Sequence, residues 1–211
     1  AFTLFFLGIQ KPLFLIYNHG FGKLSPSFHD ILEIYVHGFA IDMATVGYMM
    51  AIPLLLFGIK WAWAKFPIKK SLNIYLVIIS ILLTLGALAD ASLYEFWEFK
   101  LDRMAFFYLN DPKDAFASVS VGYLLVRLLG WIVLAAISYA LLAWPLWKVQ
   151  LGKIKTNPWL RGVLFVVIGG ALFAMIRGLR IWPNTPGRAF YSNVTFYNHA
   201  ALNPIFNLMY S

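Results

Sequence analysis

The sequence contains no cysteine. Disulfides, thiolate zinc sites and a cysteine nucleophile are therefore excluded. Charge is also scarce: 12% of the 211 residues are charged, and only nine are acidic. Soluble domains carry about 25% charged residues, so this chain has too little charge to cover a soluble globule of its size. Disorder is excluded as well, because 61% of residues are hydrophobic and 18% are Phe, Trp or Tyr. With a mean hydropathy of +0.74, the composition is that of an integral membrane protein. G-x-S-x-G, Walker, CxxC and H-E-x-x-H motifs are absent, as is any transporter-type internal repeat. No nucleophile–base pair stands out.

What charge there is falls unevenly. The formal net charge is +8. On a soluble protein such an excess suggests nucleic acid. Here Lys60, Lys65, Lys69 and Lys70 share one short connection, and Lys148, Lys153, Lys155 and Arg161 share another, with no acid in either. The remaining nine basic residues match the nine acidic ones, so the whole excess lies in two loops between apolar runs. That is the positive-inside pattern of a membrane protein, and a nucleic-acid partner is not expected.

A helix needs about 20 apolar residues to cross a bilayer core. Five stretches qualify, near residues 1–17, 31–61, 72–96, 115–147 and 159–182. The first is interrupted at Lys11-Pro12 and lacks the basic start and cleavage site of a signal peptide. The expected fold is an all-α, five-span bundle, with Trp61, Trp63, Trp144, Trp147, Trp159 and Trp182 near span ends as an aromatic belt. Placing both basic loops in the cytoplasm puts the N-terminus inside and the C-terminus outside. The mixture of aromatics and charges from Glu95 to Asp114 reads as short amphipathic helices at the outer interface. Residues 1–182 form the transmembrane domain on this reading, and 183–211 a juxtamembrane segment leading outward. Small-residue pairs, Gly170 with Ala174 and Ala87 with Ala91, mark expected helix contacts. The chain starts at Ala1 and stops in an apolar stretch at Ser211, as a piece of a longer polypeptide would.

Ionisable groups inside spans are costly and mark functional candidates. Glu33, His37 and Asp42 lie in the second span, Asp90 in the third, Arg127 in the fourth, and Arg177 and Arg180 in the fifth. At ~1.5 Å per residue, Asp42 and Arg127 enter to similar depth from the outer side. A contact between them is expected, either as helix glue or as part of a polar network of Glu33, His37, Asp42, Asp90 and Arg127. His29, Glu33 and His37 have i, i+4 spacing that could bind a metal, but hydrogen bonding to neighbours is the preferred reading and no metal site is assigned. Arg177, Arg180 and Arg188 lie on the outer side, where the charge rule disfavours cations. Guanidinium groups grip phosphate bidentately. With Arg127, Lys100 and Arg103, these three are candidates for a phospholipid head-group site, and Tyr191 and His199 for orienting the head group. The alternative is snorkelling arginines paired with Asp90, Glu95 or Glu98.

Several stretches carry a resemblance: Ile41-Asp-Met-Ala-Thr-Val-Gly-Tyr with Ile52-Pro; Ala89-Asp-Ala-Ser-Leu-Tyr-Glu-Phe-Trp-Glu-Phe-Lys-Leu-Asp; Phe106-Phe-Tyr-Leu; Pro112-Lys-Asp-Ala-Phe-Ala-Ser-Val; Gly187-Arg-Ala-Phe-Tyr-Ser; and Asn198-His-Ala-Ala-Leu-Asn-Pro. From about Gly38 to Ser211 the chain resembles the membrane domain of lipoteichoic acid synthase-like proteins, the phosphoglycerol transferase branch of the sulfatase and alkaline-phosphatase superfamily. The resemblance implies five spans in a bacterial plasma membrane, followed by an extracytoplasmic sulfatase-like domain with a Thr nucleophile and a divalent metal, usually manganese. Membrane phospholipids and that domain would be the partners. No catalytic residue can be carried over to these 211 residues, and phosphoethanolamine transferases share the plan, so the head group stays open. The other readings are a small transporter or ion-conducting bundle using Glu33, His37, Asp42 and Arg127, or a non-catalytic anchor.

Overall fold

A computed structural model describes residues 1–19, 26–105, 120–149 and 157–211. All their regular elements are helical. Helix α1 spans Phe2–Tyr17 and contains a π-helical turn over Phe6–Gln10, immediately before Lys11-Pro12. Helix α2 is Phe28–Ala62, α3 Ile68–Trp97, α4 Val121–Lys148 and α5 Pro158–Arg177. These last four are long and apolar enough to cross a membrane. Two short helices follow, α6 (Thr195–Ala201) and α7 (Pro204–Tyr210). Residues 106–114 of the expected amphipathic stretch, 115–119 at the start of the expected fourth span, and Lys153 and Lys155 lie outside the described residues.

Capping chemistry sets the boundaries. Ser27 and Asp30 form a reciprocal capping box at the start of α2. Ser120 caps α4 and Asn157 caps α5, each accepting a backbone N–H. At the other end of α2, Lys60 Nζ donates to the carbonyls of Ala64 and Phe66, closing the tight turn into α3.

Neighbouring long helices run antiparallel. Trp131 Nε1 donates to Ile81 O, and Tyr139 Oη to Asn73 Oδ1, fixing α4 against α3 in opposite directions. Phe165 faces Gly58 while Ile176 faces Gly47, which does the same for α5 against α2. Helices α2 and α3 form the centre. The apolar windows of α4 and α5 are each only 6% buried, against 39% and 44% for α2 and α3, so the outer pair present bare flanks suited to lipid. Helix α1 runs parallel to α3: Phe2 and Phe6 pack in one cluster with Leu72, Leu76 and Leu142, whereas Phe14 joins Tyr94 and Phe196 in another. Lys60, Lys65, Lys69, Lys70, Lys148 and Arg161 therefore gather at one end of the bundle, and Arg177, Arg180 and Arg188 at the other. Trp63, Trp144, Trp147, Trp159 and Trp182 are all exposed near helix ends.

Small residues permit close packing where side chains of any size would collide, as membrane bundles require. Ala87 and Ala91 are buried as expected. Gly170 is not a contact residue, because a methyl there would meet open space; Gly169, one position away and turned about 100° round the helix, faces Leu54 of α2.

Residues 183–211 do not run clear of the bundle. Helix α6 enters between α1 and α2, and Ala200, Ala201, Leu202 and Asn203 are almost wholly buried. The chain reverses at Asn203-Pro204, and α7 returns along α3, where Ile205 fills the space over Gly86. Asn207 donates to Leu101 O, and Ser211 Oγ accepts from Arg103 N–H. The segment is thus a re-entrant helical hairpin, its tip at the level of Asp42.

Candidate lipid head-group site

Four charges are buried around the hairpin tip. Lys11 Nζ lies 3.0 Å from Asp42 Oδ2, both side chains fully enclosed, and also donates to Ala201 O at 2.9 Å. Asn203 Nδ2 donates to Asp42 Oδ1 at 2.9 Å, while its own Oδ1 caps α7 by accepting from the N–H groups of Ile205 and Phe206. Beside this, Asp90 accepts from Lys100 Nζ at 2.5 Å and from Leu101 N–H at 3.0 Å. A left-handed Glu98 (φ 54°) ends α3 and turns the chain so that Lys100 folds back over it, with Nζ 3.8 Å above the Phe14 ring. Burial pushes the Lys100 ammonium below its ordinary range, with Asp90 opposing the shift.

This arrangement corrects the expected Asp42–Arg127 contact. The cation at the depth of Asp42 is Lys11, and Arg127 sits on the other flank of the bundle, its guanidinium 4.3 Å from the Tyr17 ring and 4.5 Å from the Tyr123 ring. Depth fixes a level in the membrane but not a side. Lys100 is likewise withdrawn from any head group, since its side chain is 2% exposed and committed to Asp90. Arg103 is exposed near the hairpin's end, where its backbone holds Ser211.

Glu33 and His37 form a second polar group, 2.9 Å apart on one face of α2, with His29 3.8 Å from the other Glu33 oxygen. Tyr191 stacks on the His37 ring at 4.3 Å, and its hydroxyl is buried without a partner among the described residues. Burial, with Glu33 and Asp30 nearby, pushes the Tyr191 phenol up to about 12. His199 is hydrogen-bonded to the Tyr94 hydroxyl at 3.1 Å, and burial and Lys100 push the imidazole down to about 4. Tyr191 and His199 thus support the hairpin from within. Among the described residues no three His, Asp or Glu side chains are placed to hold a metal.

Of the remaining arginines, Arg177 lines a cavity. Helix α5 ends at Gly178 (φ +85°), a conformation glycine adopts without strain. A side chain there would also collide with Asn184. Asn184 caps the helix: its Nδ2 donates to the carbonyls of Met175 and Ile176, its N–H to Arg177 O, and its Oδ1 accepts from Arg188. Arg177 folds over the turn and donates to the carbonyls of Arg180 and Ile181, which drives Leu179, Ile181 and Trp182 outward into full exposure. Arg180 is exposed beside them. Between this turn, α2 and the returning α7 lies a cavity of about 370 Å³. Tyr48, Arg177, Asn184, Thr185 and Tyr210 supply its polar lining, and Ile176, Phe206 and Met209 its apolar wall. Its lining thus combines a guanidinium, hydroxyls and an apolar wall.

No family model matches the chain, and no solved structure matches it with significance.

Proposed function

We propose that this chain is the membrane domain of a phospholipid head-group transferase of the phosphoglycerol type, related to lipoteichoic acid synthases, with five crossings of a bacterial plasma membrane. It anchors an extracytoplasmic, metal-dependent sulfatase-like domain and presents lipid to it. The basic loops lie in the cytoplasm on this reading. The helices α1, parallel to α3, and α5 then carry the chain outward to the arginine-bearing end.

The observation that carries the reading is the Arg177–Asn184–Arg188 turn and its cavity at the end of the bundle opposite the lysine-rich loops. Cations there oppose the rule that sorts basic residues to the cytoplasm, and a phosphate ligand gives them a reason. Three outward apolar side chains, Leu179, Ile181 and Trp182, seat the same turn in lipid. The ion-conducting alternative is disfavoured because Asp42 and Asp90 are each closed on a lysine rather than lining a path.

The test is Arg177→Ala with Arg188→Ala in the intact protein. Lipid head-group turnover should fall at least tenfold at normal expression. Unchanged turnover would remove the site.

A further inference from the structure

Among the described residues Arg127 takes part in no ion pair. It lies six residues into α4, roughly 9 Å below the helix start, on a flank whose Val121, Leu125, Val126 and Leu129 face outward. Two tyrosine rings hold it, one from α1 and one a turn before it on α4, at 4.3 and 4.5 Å. Cation–π contact uses the guanidinium charge without using up its N–H donors. Arg127 Nε is buried and has no partner among the described residues. The tyrosine hydroxyls are 3.4 Å apart, and Tyr17 Oη lies 3.4 Å from Glu95 Oε2, so Glu95 is engaged with a phenol and, among the described residues, makes no ion pair with Arg127. A cation in a span is costly without a partner, and the exposed apolar side chains of this flank suit lipid.

We propose that Arg127, cradled by Tyr17 and Tyr123, binds the phosphodiester of an anionic phospholipid on the α3–α4 flank, as a site separate from the Arg177 cavity on α5. The planar fork grips two phosphate oxygens, and the acyl chains lie along the apolar face of α4. The site does not rest on the transferase reading. Glu95 next to Tyr17 sets its preference, because a singly charged phosphodiester suffers less repulsion there than a doubly charged phosphate would.

Native mass spectrometry of the whole chain in detergent, titrated with phosphatidylglycerol, phosphatidylcholine or soluble glycerol phosphate, tests this. Wild type should retain phosphatidylglycerol, and Arg127→Gln should bind it about tenfold more weakly, the scale of one charge-assisted hydrogen bond. Arg127→Lys should fall between, and Arg177→Ala should leave this site intact. Equal phosphatidylglycerol binding by Arg127→Gln and wild type would overturn the proposal. So would an equal loss of phosphatidylcholine, or glycerol phosphate binding as tightly as the lipid. Should Arg127→Gln fail to fold, Tyr123→Leu decides: about threefold weaker retention supports the cradle, and unchanged retention sinks it.

Discussion

Asp42 and Asn203, 161 positions apart, are joined by a 2.9 Å hydrogen bond in the middle of the bundle. Asp42 also holds Lys11, so one carboxylate ties α1, α2 and the hairpin together. Removing one partner of a buried ion pair typically costs about 3–5 kcal/mol, whereas replacing both with apolar groups costs far less. Lys11→Met and Asp42→Asn should each destabilise the protein by about 3 kcal/mol, read as a lower unfolding midpoint in detergent. Lys11→Met combined with Asp42→Leu should recover much of the loss. Additive losses in the double variant would show that the pair is not coupled.

Asn203 admits a sharper test, because each half of its amide has a distinct role. Asn203→Asp keeps the cap of α7 but sets a second carboxylate against Asp42. It should be worse than Asn203→Ala, which loses the cap and the bond at about 1 kcal/mol each. Limited proteolysis of residues 183–211 should follow that order, and the reverse order would mean that Asp42 is not charged.

Gly38 sets how closely the hairpin can approach α2. A methyl group there would overlap the Ala201 carbonyl and lie 2.7 Å from Lys11 Nζ. Gly38→Ala should therefore loosen the hairpin and destabilise the protein by about 1–3 kcal/mol, while Gly170→Ala, over open space, should be neutral or slightly stabilising. Equal midpoints for the two variants would contradict this packing.

The sequence makes the helices and the two-ended charge pattern legible, since long apolar runs and lysine-rich turns are local features. Partners are less so. Asp42 and Arg127 share a depth, yet α4 packs on α3 and leaves α2 to Lys11. That lysine reads as a flaw in an apolar run, although a lone cation in a span already implies an anion at its level. The hairpin is the least legible part. Asn203-Pro204 announces a break, but nothing in two helices of one or two turns tells whether they lie on the membrane or return into it.

His199 links the hairpin to solution pH. Its folded pKa is depressed from 6.5 to about 4, by burial and by Lys100. In that window the unfolded chain takes up a proton that the folded one refuses, so stability falls as pH drops from about 6.5 toward 4 and is unaffected above. His199→Gln keeps an acceptor for Tyr94 and cannot titrate. The wild-type midpoint should fall more than the variant's between pH 7 and 4.5, and parallel curves would place His199 in water.

The absence of cysteine gives direct access to sidedness. Lys69 and Asn193 are both exposed, the first beside the α2–α3 turn and the second at the entry to α6, at opposite ends of the bundle. Positive charge collects on the cytoplasmic side, so a membrane-impermeant maleimide applied to intact cells should label Asn193→Cys and spare Lys69→Cys until the membrane is opened. Among the described residues neither side chain makes a hydrogen bond or ion pair that the substitution would break, and these 211 residues supply no cysteine of their own. Labelling of both positions from the same side would leave an even number of crossings between them, and the arginine-bearing turn would then face away from any external catalytic domain.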